Sequence, residues 1–533
     1  MLAPRLLVPI FLFSIAEAVE ETVDVGYSVY KGQALPNGVS QWLGIRYAAP
    51  PLGQLRFAPP QDPPHTEGVQ DATQHGKYCL GTGRSPTDTD TSEDCLFLDV
   101  QAPTSATAGS KLPVFLYIQG GGFSLNSNPN TNASGLIVNS GHGIVVVSLN
   151  YRVGPYGFMT DSDKILPNNG LRDQRKVLEW VQRHIVQFGG DPSHVTLGGS
   201  SAGAASVTFH LAANNGTDHG FFHAAIAESP SFASTLTVTQ SQYMYTQFAT
   251  RVGCVGRDNL ACMRNKTAVE LQTSNFNIPL PGASKPPNYM WLPVLDREFV
   301  QDFSYRVFQK GNFVKVPTIY GDDNNGGTKF APKDTATLQQ SNNYVLDQYP
   351  DLTLNMLGQI NEMYPNPNNS CPAIGCYWRH ASNVYQEARY MCPGMYVSSV
   401  VTKYGQNAWV YRWNVEDPDQ MASGLGVPHT VELAALWGAD YFPDPPASYR
   451  SGQINANASS AMQHYWLNFI KYYNPNGRPV DSTSNYTKWE AWADNAQSRL
   501  TFQTGGLTEM IPVDSGLKRR CEFWSTNGIA LTM

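Results

Sequence analysis

The sequence predicts an α/β fold built on a large, mostly parallel central sheet. Two short apolar runs, Val114–Ile118 and Gly143–Leu149, show no polar alternation. That is the pattern of strands covered on both faces. The segment 171–188 then sets Leu171, Val177, Leu178, Trp180, Val181, Ile185 and Val186 among charges, and Gly189-Gly190 follows. This spacing predicts an amphipathic helix with a glycine stop. His194–Leu197 reads as a strand running straight into a glycine turn. Strand, helix, strand, turn is the order that right-handed crossovers impose on a parallel sheet.

Further strands are expected at Ala224–Ala227, Val314–Tyr320 and Gly405–Trp413, the last around Ala408–Tyr411, and a late helix at Ala461–Tyr473, closed by Pro475. Residues 240–310 and 330–400, rich in Asn, Pro, Gln and Tyr, read as helical and loop insertions over one end of the sheet. The 533 residues exceed the usual length of one domain, but large α/β folds reach it by insertion. The expected organisation is therefore a signal peptide over residues 1–18 and a single domain over 19–533.

The signal is read from Arg5, the apolar run Leu6–Ile15 and the small-x-small site Ala16-Glu17-Ala18. The run is too short to span a bilayer, and no later stretch is long and apolar enough, so no stable membrane anchor is expected. The net charge is −7, and Lys and Arg are not clustered, which argues against nucleic acid as a partner. Eight cysteines lie at 79, 95, 254, 262, 371, 376, 392 and 521, none in a Cys-x-x-Cys pair. An even count without that spacing favours disulfides over a metal site. No metal and no cofactor are expected. Asn-x-Ser/Thr sequons stand at Asn132, Asn215, Asn265, Asn368, Asn457 and Asn485, as candidate glycosylation sites in an exported chain.

Chemistry enters at Gly199-Ser200-Ser201-Ala202-Gly203. The pattern alone is weak, but it follows a strand and continues into small residues that open a helix. Such a turn strains the backbone and lifts the central serine oxygen above the sheet. A serine hydroxyl needs a base and donors for the oxyanion it generates. Gln119-Gly120-Gly121-Gly122-Phe123, just after the strand at Val114–Ile118, supplies uncovered backbone N–H groups. Gly121 and Gly122 are the candidate donors, with the N–H of Ala202 as the third.

Here the chain resembles the type-B carboxylesterases and lipases, a family of α/β-hydrolase fold that includes the cholinesterases and secreted fungal lipases. The likeness rests on Ser92-Glu93-Asp94-Cys95-Leu96, Asn150-Tyr151-Arg152, Gly157-Phe158, Asn169-Gly170-Leu171, Asp173-Gln174 and Phe188–Pro192. It implies disulfides Cys79–Cys95 and Cys254–Cys262 and a structural ion pair between Glu93 and Arg152. It also supplies the base. Gly426-Val427-Pro428-His429, with Glu432 and Gly438 following, is similar to the family's histidine loop, so His429 would take the proton from Ser201.

The pattern breaks at the acid. The family's Gly-x-x-x-x-Glu-Gly-Thr loop here reads Gly321 to Thr328 with Gly326 at the glutamate position. Three explanations compete: Asp323, or Asp322, reaches His429 from the same loop, which is favoured; a carboxylate from another loop serves, with Glu228 as a candidate by position; or the site works weakly, on oxyanion donors and binding alone. Pro230 and Gln119 also depart from the family, without removing a proton carrier. Between Cys79 and Cys95 there is no aromatic residue, so the cation–π grip that cholinesterases place there is missing and a choline ester is disfavoured.

These residues predict a secreted carboxylic ester hydrolase working through an acyl-Ser201 intermediate. Its substrate would be a neutral ester of small to medium size, or a lipid. A role in a secondary-metabolite pathway, and acyl transfer to an alcohol, are compatible with the same site. The competing class is a family member that has lost catalysis and become a binding protein. Gly326 keeps that reading open.

Overall fold

The computed structural model describes residues 21–127, 130–366, 375–477, 486–493 and 496–533. The expected signal peptide, Asn368, Cys371 and Asn485 lie outside them.

Eleven strands form one sheet. In chain order they are β1 (Gln33–Ala34), β2 (Val39–Arg46), β3 (Phe97–Pro103), β4 (Leu112–Ile118), β5 (Val145–Leu149), β6 (Gly190–Ser200), β7 (Ala224–Glu228), β8 (Thr318–Asp323), β9 (Ala408–Asn414), β10 (Ser498–Gln503) and β11 (Leu507–Pro512). Their spatial order is β11-β10-β9-β8-β7-β6-β4-β5-β3-β2-β1. Pairing is parallel from β5 across to β10 and antiparallel at both margins.

The unbroken apolar runs are explained by burial on both faces. In β4, Val114, Leu116 and Ile118 enter one core while Phe115 and Tyr117 enter the other. In β7 the split is Ala225 and Ala227 against Ala224 and Ile226. A period-two chain with cover on both sides needs no polar face. Helix α1 (Asn169–His184) packs Leu171, Val177, Leu178, Trp180 and Val181 inward. A 3₁₀ turn over Ile185–Phe188 ends it, where Gly189 takes φ 84°. Val186, expected on the buried face, is exposed because the tighter turn rotates it outward.

Two strands differ in extent from the sequence reading. β6 begins at Gly190 rather than His194. β8 begins at Thr318 and continues through Asp323, so Asp322 and Asp323 belong to a strand end rather than a loop.

The ion pair implied for Glu93 and Arg152 is not formed. Arg152 binds Asp173 of α1 through Nε and Nη2 at 2.8 and 2.7 Å, and both side chains are buried. Glu93 pairs instead with Arg56, at 2.6 and 2.5 Å. Asp173, fully buried against Arg152, meets the guanidinium from the helix and leaves Glu93 free for a different arginine. Arg56 also donates to the carbonyls of Met263, Arg264 and Lys266, tying the N-terminal region to the helix that carries Cys262.

Cys79–Cys95 and Cys254–Cys262 are bonded as the resemblance implied, and Cys392–Cys521 is a third bridge. Cys376 is also disulfide-bonded. Asn132, Asn215, Asn265 and Asn457 are exposed. Among the described residues no helix is long and apolar enough to cross a membrane, and no cluster of three or more His, Cys, Asp and Glu could hold a metal.

Candidate active site

Ser201 sits between β6 and helix α2 (Ala202–Gly216) at φ 56°, ψ −118°. This is a strained conformation for a residue with a side chain, costing on the order of 1–3 kcal/mol. Its surroundings hold it there. The Ser201 N–H donates to Glu228 O at 2.8 Å, and the Ser201 carbonyl accepts from Ala205 and Ser231 N–H. The flanking glycines are required by contact. A Cβ on Gly203 would lie 1.9 Å from Ile118 O, and one on Gly199 would lie 2.7 Å from both Ile118 O and Gly203 C.

The glycine loop after β4 lies against this turn, since a Cβ on Gly120 would stand 2.9 Å from Ser201 Cβ. Gly121 and Gly122 adopt φ 117° and 61°, and neither N–H finds an acceptor among the described residues. Ala202 opens α2, so its N–H is one of the orphan donors of a helix start. Gln119 points away, donating to Leu149 O and Asn150 Oδ1.

His429 is brought to the same end of the sheet. Its loop is stapled to the segment after β8. Asn325 N–H donates to Val427 O, Val427 N–H to Asn325 Oδ1, Thr328 Oγ1 to Leu425 O, and Lys329 Nζ to His429 O. The imidazole is buried and packed by rings, with Tyr390 at 4.3 Å and Phe330 at 5.1 Å between centroids. Neither ring nitrogen has a hydrogen-bond partner among the described residues. Burial, followed by the cations of Lys329 and Arg389, holds its pKa well below the ordinary imidazole value.

The carboxylates expected to serve His429 are committed elsewhere. Asp323 Oδ2 accepts from Thr430 N–H at 2.7 Å and from Ser229 Oγ at 3.1 Å, gripping the residue after the histidine rather than its ring. Alternation along β8 sends Asp322 to the other side, where it meets Arg499 at 3.7 Å. Glu228 is buried and accepts from Trp466 Nε1. Asp323 and Glu432 approach each other, and burial raises both pKa values, Asp323 the more strongly because Glu432 adds to it. Gly326 does occupy the position facing the imidazole: a Cβ there would be 3.7 Å from His429 Nδ1.

Sequence reasoning missed Phe330, Tyr390 and Tyr289, whose ring lies 2.2 Å from where a Gly122 Cβ would be. It also missed Arg389. All lie in or beside the insertions, where composition gave no periodic signal.

The Carboxylesterase family profile matches residues 20–524. Secreted lipase 4 of Gibberella zeae is 28% identical over 517 residues, covering 92% of this chain and 88% of that one. Lipase 1 of Geotrichum candidum is 28% identical over 542 residues, with 90% and 91% covered. The crystal structure of Aspergillus niger EstA superposes with a TM-score of 0.92 at 39% identity, covering 97% of this chain and 99% of that one. A sheet of this order, with a strained serine turn at its centre and relatives matched almost end to end, leaves one assignment: the chain belongs to the carboxylesterase family of small-molecule ester hydrolases and has the α/β-hydrolase fold.

Proposed function

We propose that the protein is a secreted serine carboxylic ester hydrolase. Ser201 Oγ attacks the ester carbonyl carbon and His429 takes the hydroxyl proton. The N–H groups of Gly121, Gly122 and Ala202 receive the oxyanion. Collapse of the tetrahedral intermediate expels the alcohol, which takes its proton from the imidazolium. Water, deprotonated by the same imidazole, then cleaves the acyl-serine. The observation that carries this reading is the strained backbone of Ser201, flanked by close-packed glycines and set against a loop in which the N–H groups of Gly121 and Gly122 have no acceptor among the described residues.

Asp323 serves this scheme as a positioning residue and not as an acid on the ring: it holds Thr430, and with it the His429 backbone. Phe330 and Tyr390 orient the ring in place of a direct carboxylate contact. The disulfides and the exposed sequons at Asn132, Asn215, Asn265 and Asn457 support export and glycosylation.

A fluorophosphonate probe tests the reading. Covalent labelling on Ser201, lost in Ser201→Ala together with ester turnover, is the expected result. A second reading, a binding protein of weakened chemistry, draws on the unpartnered imidazole beside Gly326. It takes over if the probe leaves Ser201 unmodified.

A further inference from the structure

Helices α3 (Trp378–Gln386) and α4 (Cys392–Lys403) are joined through a widened π-helical turn, Glu387–Met391. Such turns insert one residue, re-aim the side chains that follow, and recur at functional sites. Here the turn carries Tyr390, packed on His429, and Arg389. Arg389 is only 3% exposed. Its guanidinium lies 5.5 Å from the ring centroid of Tyr289 and 5.6 Å from that of Tyr385. Its Nε donates to Ser231 Oγ at 2.8 Å, and Ser231 N–H in turn donates to the Ser201 carbonyl at 3.2 Å. The cation therefore stands one residue removed from the proposed nucleophile.

What sets Arg389 apart is its missing counter-charge. The buried guanidinia of Arg56, Arg152 and Arg499 each face a carboxylate, from Glu93, Asp173 and Asp322. Arg389 faces none among the described residues, and its Nη2 has no acceptor there. Guanidinium stays charged at any working pH, and a buried charge without its partner is costly to keep. A second cation lies near the same ring. Lys329 Nζ donates to His429 O at 2.8 Å, and Lys329 and Arg389 both act on the imidazole, although Lys329 also faces the buried Asp323 and Glu432.

We propose that Arg389 and Lys329 form an anion-binding subsite beside Ser201, and that the preferred substrates are esters carrying a carboxylate. The planar guanidinium fork suits a carboxylate, and the flanking tyrosine rings exclude water from the contact. This departs from the neutral ester expected from sequence. It rests on the hydrolase reading above.

The test compares matched esters at pH 7. Monomethyl adipate against methyl hexanoate places the carboxylate on the acyl side; butyryl glycolate against propyl butyrate places it on the alcohol side. The expected result is a kcat/KM ratio, anionic over neutral, above one in at least one pair. That ratio should fall ten-fold or more in Arg389→Gln, less in Arg389→Lys, and several-fold in Lys329→Gln. Ratios below one in both pairs overturn the proposal, as does a ratio that Arg389→Gln leaves unchanged. If Arg389→Gln does not fold, Lys329→Gln and inhibition of methyl hexanoate hydrolysis by adipate in the native enzyme decide. An unchanged ratio in Lys329→Gln, or no competition by adipate, overturns it. Failure of fluorophosphonate labelling sinks the hydrolase reading itself; labelling and neutral-ester turnover without anion preference sink only the subsite.

Discussion

Gly326 faces the His429 ring, with the place of its absent Cβ 3.7 Å from Nδ1 and no other heavy atom nearer. Its φ lies outside the left-handed region, and nothing near it would clash with a side chain. Gly326→Glu is therefore sterically open and would set a carboxylate beside Nδ1. A carboxylate there fixes the tautomer and stabilises the imidazolium, and its loss in a serine protease costs about 10⁴-fold. Tyr390, Phe330 and Asp323 already hold part of the geometry, so a smaller gain is expected, about ten-fold or more in kcat. Steady-state kinetics on one neutral ester checks it. No gain would mean the ring is already held as a carboxylate would hold it.

The same relationship sets the pH dependence. Burial, Lys329 and Arg389 all disfavour the imidazolium, so the folded pKa of His429 lies well below the ordinary value. The base is then neutral throughout the neutral range. kcat/KM should stay flat as pH falls past about 6.5, the unperturbed histidine value, and drop only further into acid. Gly326→Glu favours the charged ring and should move that limb upward. For stability the sign is also fixed. Below about 6.5 the unfolded chain binds a proton at this histidine that the folded chain refuses. This residue's contribution is thus present above that pH and declines below it. A pH–rate profile with its limb at or above 6.5 in the parent would contradict the assignment.

Two glycines separate catalysis from folding. At Gly122 the three nearest atoms to an added Cβ all belong to the Tyr289 side chain, with no backbone among them, and the φ of 61° adds a modest local strain. Gly122→Ala should fold but misplace an oxyanion donor, lowering kcat by about 10²–10³-fold. At Gly203 the added Cβ would lie 1.9 Å from Ile118 O, a strand backbone that cannot yield. Gly203→Ala should lose soluble folded protein. Activity and thermal midpoint measured together distinguish the two, and equal behaviour would refute the distinction.

The sheet was legible because both-face burial leaves runs such as Val114–Ile118 with no polar residue, and strand ends were legible where glycines crowd, as at Gly199 and Gly203. The end of β8 was not. Asp322 and Asp323 look like turn residues, yet parallel pairing with Arg412 and Trp413 extends the strand through both. That extension turns Asp322 toward Arg499 and Asp323 toward Thr430. The site beyond Ser201, His429 and the glycine loop depends on contacts between segments far apart in sequence. Tyr390 meets His429, and Arg389 meets Ser231, the latter across 158 residues. No local period encodes such pairings, and the π turn that makes them follows from packing rather than from spacing.

The exchanged ion pairs give a last test, on stability. Arg56 and Glu93 have side chains 7% and 7% exposed and hold each other through two hydrogen bonds. Arg56 also binds three carbonyls between Met263 and Lys266, so it clamps two distant segments as well as a charge. Glu93→Leu strands the guanidinium in a dry setting and should cost roughly 3–5 kcal/mol. Glu93→Leu with Arg56→Met removes both charges and should cost less than the single change, because an unpaired buried ion is worse than none. Some penalty should remain in the double variant, since the carbonyl clamp is lost. Urea unfolding midpoints of the parent, the two singles and the double measure this cycle. Additive losses would show that the two charges do not act on each other, and a null effect of Glu93→Leu would return the arginine's partner to the question.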